Sequence, residues 1–203
     1  MGCTESYELP AHFSMFSAWP SQRVSSMLKA YVDGEYDYGI DHTVVMSLTG
    51  LNLQEAKVLV KALSKGDTSV INAACFLLSV IMLGEANRRS ENSHLALCFE
   101  VFDFSLSGQL SFDEFSIMLL CLVTTQGMMI GRNMEIPSDK QMILVAETLY
   151  GAIGKNKSNP IELHEVNSLY NEYFKSHKVM ALDEVFDRLL LGDKVTYWPA
   201  EEE

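Results

Sequence analysis

Apolar residues recur along this chain in sets of four, spaced to fall on one face of a helix. The first set is Val24, Met27, Leu28 and Tyr31. The others are Ala56, Leu59, Val60 and Leu63; Leu95, Cys98, Phe99 and Phe102; and Ala146, Leu149, Tyr150 and Ile153. Each set leads into a polar or glycine-bearing stretch of about a dozen residues with an apolar residue inside it: Ile40, Ile71, Leu110 and Ile161. A second helical stripe follows each stretch, through Val44, Val45, Leu48 and Leu51; Leu77, Val80, Ile81 and Leu83; Phe115, Met118, Leu119 and Leu122; and Val166, Leu169, Tyr170 and Tyr173. Helix starts are marked by Ser21 after Pro20, by Asn52 with Glu55, by Ser93, and by Ser138 with Gln141, the two pairs reading as capping boxes.

The pattern predicts an all-α protein of four helix–loop–helix units with short loop-pairing strands. One such unit cannot bury its apolar face alone. The units therefore pair into two lobes, with Ile40 against Ile71 and Leu110 against Ile161. Residues 1–20 read as an irregular arm whose Phe13, Phe16 and Trp19 either pack on a lobe or meet a partner. Residues 21–88 form the first pair and 89–203 the second. The polar run at 84–92 joins them as a loop or a short solvated helix. Residues 124–137 read as an insertion, a loop with Met128, Met129 and Ile130 at its tip. Leu182, Val185, Phe186, Leu189 and Leu190 share a face of one more helix over 180–191, ended by Gly192.

The stretch with the clearest chemistry is Asp103 to Glu114, DFSLSGQLSFDE. Acidic residues close both ends, at positions 1 and 12. Ser105, Ser107 and Ser111 put hydroxyl oxygens at positions 3, 5 and 9, and Gly108 stands at position 6, where the chain must turn sharply. Calcium takes six to eight oxygen ligands in a flexible cage, and this spacing supplies oxygens of that kind. Two charged ligands are few, which predicts weak or moderate affinity.

This loop between apolar helices resembles an EF-hand, and the repeat over residues 21–175 resembles the calmodulin superfamily. The resemblance implies calcium as cofactor, with Asp103, Ser105, Ser107, Gln109, Ser111 and Glu114 as its ligand set. The other loops depart from the family pattern. The first, DGEYDYGID with Asp33, Glu35, Asp37 and Asp41, is about one residue too long and has Val44 or a neighbour where the closing glutamate should stand. The second runs from Ser64 to Cys75, with Ser64, Gly66, Thr68 and Cys75 at positions 1, 3, 5 and 12. The last, Gly154 to Glu165, has glycine at position 1, Pro160 at position 7, and the positive Lys155 and Lys157. All three are expected to hold little or no metal, and the insertion at 124–137 is unlike calmodulin.

Net charge is −12, which disfavours nucleic acid, because phosphate binding rests on Lys and Arg. It suits cations, basic partner helices or simply an acidic surface. The 11 methionines lie mostly in helical stripes, as core or as an adaptable groove for a partner helix. The 4 cysteines, Cys3, Cys75, Cys98 and Cys121, lack disulfide or CxxC spacing, and the last three read as reduced core thiols. The 5 histidines form no triad or metal spacing, and no phosphate-binding glycine loop is present, so the sequence offers nothing for an enzyme. The longest apolar runs, 73–83 and 115–123, are too short to span a bilayer. No basic region followed by an apolar one marks a secretory signal, and the chain is expected on the cytoplasmic side.

Met1-Gly2-Cys3-Thr4-Glu5-Ser6 matches the pattern for myristoylation of Gly2, with Cys3 as a palmitoylation candidate, similar to neuronal calcium sensors and other acylated EF-hand proteins. The alternative is an ordinary flexible terminus. Two functional readings follow. One is a single-site calcium sensor or regulatory subunit that binds a helical segment of a protein partner, with membrane association through the N-terminal lipids. The other is a calcium-independent adaptor in a cytoskeletal (for example ciliary) or membrane assembly.

Overall fold

A computed structural model of the chain describes residues 11–64, 69–84, 91–129 and 137–175. Gly2 and Cys3, most of the polar join, residues 130–136 and the helix expected over 180–191 lie outside the described residues. What is described is mostly helical, with two small antiparallel sheets. Contacts group the chain into two compact units, Met1–Val101 with Thr124–Glu135, and Phe102–Val123 with Ile136–Glu203. The divide thus runs through two helices rather than through the polar join at 84–92.

In the first unit, α1 (Ala11–Ser14) passes into a 3₁₀ turn (Met15–Ala18). Then follow α2 (Ser21–Asp33), β1 (Gly39–Asp41), α3 (His42–Thr49), α4 (Leu53–Leu63), β2 (Val70–Asn72) and α5 (Ala73–Leu83). The expected capping box of α4 is present: Asn52 Oδ1 accepts from Glu55 N–H and Asn52 N–H donates to Glu55, both at 3.0 Å. Ser21 is not the cap of α2 but its first residue. Pro20 stands at the cap, and its carbonyl accepts from the N–H groups of Arg23 and Val24 at 2.9 and 3.2 Å. Proline can serve there because this position needs an extended conformation and an acceptor, not a free N–H.

Helix α5 organises this unit. Every residue from Ala73 to Ile81 is buried, as befits a helix apolar on all sides. The segment expected to be an irregular arm helps cover it. Phe13, Phe16 and Trp19 are all buried. Phe16 meets Trp19 edge-on at 5.1 Å and Phe76 of α5 at 6.4 Å, a geometry that matches ring edge to ring face. Arg23 stacks over the Trp19 ring at 3.8 Å and donates to the Thr49 carbonyl at 3.0 Å. The polar positions inside this core are spent on backbone carbonyls: Ser79 and Thr125 hydroxyls both donate to the Cys75 carbonyl, at 2.8 and 3.4 Å.

Strands β1 and β2 pair with Ile40 opposite Ile71, both buried. The first loop carries its extra residue into this frame. From buried Leu28 to Ile40 is one residue more than from buried Val60 to Ile71. Glu35 takes up the slack in a left-handed conformation, φ +49°. Asp41 ends the loop as the cap of α3, accepting from Thr43 and Val44 N–H at 2.8 and 3.0 Å. These two bonds hold its carboxyl below the ordinary range, the Val44 bond most of all.

α6 (Glu91–Phe102) begins two residues before Ser93, which therefore lies in its first turn rather than at its cap. α7 (Phe112–Met129) runs six residues past Val123, so the first part of the expected 124–137 loop is helix. Thr125 is buried with its hydroxyl bonded, and that packing holds the turn that Gly127 alone would weaken. α8 (Asp139–Ala152), β4 (Ile161–Glu162), α9 (Leu163–Leu169) and a π-helical turn (Tyr170–Lys175) complete the second unit, in which β3 (Gln109–Leu110) pairs with β4. Ser138 and Gln141 form the expected capping box. Among the described residues no helix is long and apolar enough to cross a membrane.

Phe16→Ala should destabilise the first unit by about 3–5 kcal/mol, the cost typical of emptying a large buried aromatic site. Urea unfolding followed by amide exchange in α5 measures it. A loss below about 1 kcal/mol would show that the aromatic arm is not part of this core.

Candidate metal centre

The loop between α6 and α7 is built inward from one carboxylate. Phe102 ends α6 fully buried, and Asp103 follows at 9% exposure. Asp103 Oδ1 accepts from Ser107 N–H at 2.9 Å and from the Ser105 hydroxyl at 3.3 Å, and Ser107 Oγ lies 3.4 Å from the same oxygen. Oδ2 accepts from Gly108 N–H at 2.7 Å. A buried carboxylate must recover in hydrogen bonds what it loses in hydration, and here the loop bends around it to supply them. The bend uses left-handed backbone at Leu106, φ +53°, and Gly108, φ +75°. Gly108 adopts this freely. Leu106 pays a strain that its side chain, 83% exposed, does not recover by packing.

Glu114 closes the loop from the other end. Its Oε2 accepts from Ser111 N–H at 2.7 Å and its Oε1 from Phe104 N–H at 3.1 Å. Ser111 Oγ accepts in turn from Glu114 N–H at 3.2 Å, so a capping box for α7 doubles as a latch between the loop's second and ninth residues. The Gln109 carbonyl accepts from Ser107 Oγ at 2.9 Å. Asp113, next to the latch, is exposed. The residues expected as ligands are thus brought together: Asp103, Ser105 and Ser107 converge around one carboxylate oxygen, Gln109 adds a carbonyl, and Ser111 and Glu114 close the far side.

This donor set, all oxygen with two negative charges, fits a hard cation. Among the described residues no three His, Cys, Asp or Glu side chains converge. A cation here would therefore lean on hydroxyls and a backbone carbonyl.

The other loops spend their polar groups differently. In the first, Asp41 is committed to capping α3, while Asp33, Glu35 and Asp37 are exposed. In the second, Cys75 is buried in α5, Asn72 caps that helix by accepting from Cys75 N–H at 3.1 Å, and Gly66 and Thr68 lie outside the described residues. In the last, Asn156 Oδ1 accepts from Ser158 N–H and Oγ at 3.0 and 2.5 Å, and Lys157 pairs with Glu147.

The two loops of the second unit join at β3 and β4. Leu110 lies opposite Ile161, both fully buried, and Gln109 Nε2 donates across to Glu162 Oε1 at 3.1 Å. Tyr150 lies beneath, edge-on to Phe112 at 5.1 Å and tilted against Phe115 at 5.4 Å. Its hydroxyl is buried and, among the described residues, has no hydrogen-bond partner. Burial first, and the charges of Glu165, Asp113 and Glu114 after it, push its pKa up to about 12.

Sequence reasoning missed two groups here. Tyr150 reads as an ordinary core residue, since nothing in an apolar stripe shows where a hydroxyl will point. Lys155 counts in sequence only as positive charge, yet its ammonium lies 2.5 Å from Glu165 Oε2. For Glu165, burial would raise the pKa, but the Lys155 ammonium, the Glu162 N–H and His164 together bring it below the ordinary 4.5.

No protein-family model matches the chain, and no curated protein sequence matches it.

Asp103→Ala should leave the Ser107 and Gly108 N–H groups without their acceptor, costing the second unit about 1–3 kcal/mol. Amide exchange at Ser107 and Gly108 should quicken, and unchanged protection there would remove Asp103 as the hub. Glu165 has a lowered folded pKa, so its contribution to stability is present above 4.5 and fades as pH falls through the folded value. Acidification below 4.5 should therefore weaken the second unit in the parent, with a shallower slope in Glu165→Gln. Equal slopes in amide-exchange profiles would contradict this.

Proposed function

We propose that the chain is an EF-hand protein of the calmodulin type with one calcium site, at Asp103–Glu114, acting as a sensor or regulatory subunit on a protein partner. The observation that carries this reading is the convergence of Ser105 and Ser107 hydroxyls on Asp103 Oδ1, within 3.4 Å, faced by the Glu114 latch. Asp103, Ser105, Ser107, Gln109 through its carbonyl, Ser111 and Glu114 would hold the ion. Calcium supplies there a divalent charge that two carboxylates and neutral oxygens can share. Asp103 and Glu114 stand at the two ends of the loop, at the end of α6 and the start of α7. Any change in how they share an ion therefore acts on the helix pair, and biasing a helix pair toward exposing an apolar groove is how such loops signal. The helical repeat, with Ile40 opposite Ile71 and Leu110 opposite Ile161, supports the reading of four paired hands. The partner would be a helical protein segment, and the chain would act on the cytoplasmic side. Acylation at Gly2 and Cys3 would add membrane association, which the mass of the native N-terminus tests.

One observation favours the second reading, a calcium-independent adaptor. Asp103 already accepts three hydrogen bonds and Glu114 two, so the loop closes on its own donors.

Calorimetric titration separates the two. Calcium should bind at one site, with a dissociation constant on the order of 10⁻⁵ M or weaker given two charged ligands, and Glu114→Gln should abolish the heat. No heat at millimolar calcium leaves the adaptor. A pull-down with and without calcium then shows whether partner capture is gated by the ion.

A further inference from the structure

The last loop, Gly154 to Glu165, contains a cation of the chain's own. Helix α8 ends in a paired reversal. Gly154, left-handed at φ +71°, donates its N–H to the Gly151 carbonyl at 3.1 Å, and Lys155 N–H donates to the Tyr150 carbonyl at 2.9 Å. This is the two-bond helix stop that glycine favours, and it sets Lys155 at the loop's second position. The Lys155 ammonium donates to the Pro160 carbonyl and to Glu165 Oε2, both at 2.5 Å. The Lys155 and Glu165 side chains are only 21% and 19% exposed.

Strand pairing fixes which residues of the two loops correspond. With Leu110 opposite Ile161, Pro160 takes the place of Gln109, and Glu165 that of Glu114. The correspondence extends to hydrogen bonds. Ser111 N–H donates to Glu114 Oε2 at 2.7 Å, and Glu162 N–H to Glu165 Oε2 at 2.8 Å. At the second position, Phe104 reaches Glu114 through its backbone N–H at 3.1 Å, whereas Lys155 reaches Glu165 through its ammonium. The seventh-position carbonyl and the twelfth-position carboxylate thus converge on a positive charge in the last loop. Neighbouring groups do not compete for it: Asn156 bonds Ser158, Lys157 pairs with Glu147, and His164 Nδ1 faces Glu162 Oε2 at 3.2 Å.

We propose that the Lys155 ammonium is the resident cation of the last loop, standing where a metal ion would stand and excluding one. The loop then keeps its closed geometry whatever the ionic medium. Through Leu110–Ile161 and the Gln109–Glu162 bond it offers its neighbour a strand that does not depend on a second ion. A cation in the Asp103–Glu114 loop would therefore bind singly, without the cooperativity of two coupled metal sites. The inference rests on the reading of the two loops as related cation cradles. Its test does not require calcium binding by either.

The test uses the full chain in a Glu114→Gln background, so that no response can come from the Asp103 loop. Lys155→Met keeps the aliphatic stem and removes the charge; Glu165→Gln removes the anion; a third chain carries both. Each single change should lower the thermal midpoint of the second unit and speed exchange of the Glu162 amide about tenfold, as loss of a charge-assisted bond does. The double change should fall no further than Lys155→Met alone. Additive losses, or a Lys155→Met chain as stable as its parent, overturn the proposal. Should Lys155→Met fail to fold, the Lys155 ¹⁵Nζ resonance decides. A slowly exchanging ammonium signal that disappears in Glu165→Gln is expected, and its absence from the parent spectrum overturns the assignment.

Discussion

A carboxylate placed where a helix ends and the chain turns back must find donors or stay in water. Asp103 is the one charged side chain counted as buried among the described residues, and the loop's shape follows from that. Three donors, the Ser105 hydroxyl and the Ser107 and Gly108 N–H groups, close on it. To bring them in, the backbone passes through left-handed conformations at Leu106 and Gly108. That turn delivers Leu110 to its buried place opposite Ile161, and the strand pair then sets Glu114 at the mouth of the loop. Each step depends on the one before: remove the acceptor, and the reason for the turn goes with it.

The same helix–loop–helix frame carries four different interiors. One gathers oxygens around Asp103. One holds a lysine ammonium between a carbonyl and Glu165. One turns its last aspartate, Asp41, into a helix cap. One gives its twelfth position to Cys75, buried in the core. In all four one apolar residue of the short strand, Ile40, Ile71, Leu110 or Ile161, is buried. The packing constraint is therefore separable from the chemistry: Ile40, Ile71, Leu110 and Ile161 keep the frame, and the polar positions are free to serve a cation, a cap or the core.

The first unit shows the complementary case, in which packing sets the shape. Helix α5 has no polar face to give to water, so it must be surrounded. Phe16, Trp19 and Phe76 do part of this through edge-on contacts, and Arg23 seals the Trp19 ring from the outside. Hydroxyls inside the core, Ser79 and Thr125, are harmless because both end on the Cys75 carbonyl.

What the sequence determined by itself was periodic and local. Among the described residues the 3.6-residue stripes placed the helices flanking each loop, the apolar residues Ile40, Ile71, Leu110 and Ile161 placed the strands, and the capping pairs Asn52–Glu55 and Ser138–Gln141 placed two starts correctly. The approach of Ser105 and Ser107 to Asp103 was legible for the same reason, since residues two to four apart in a tight turn meet whatever the rest does. Boundaries set by competition were not legible. Ser21 and Ser93 read as caps, but Pro20 and an earlier start prevail. Residues 11–18 and 124–129 read as irregular, but burial of Phe13, Phe16 and Thr125 makes them helical. Only tertiary structure decided where long side chains end. Lys155 looked like stray charge and instead reaches Pro160 and Glu165; Tyr150 looked like plain core and carries a hydroxyl with no hydrogen-bond partner among the described residues. A flexible side chain's partner is chosen by the packing of everything around it, and a linear pattern does not contain that information.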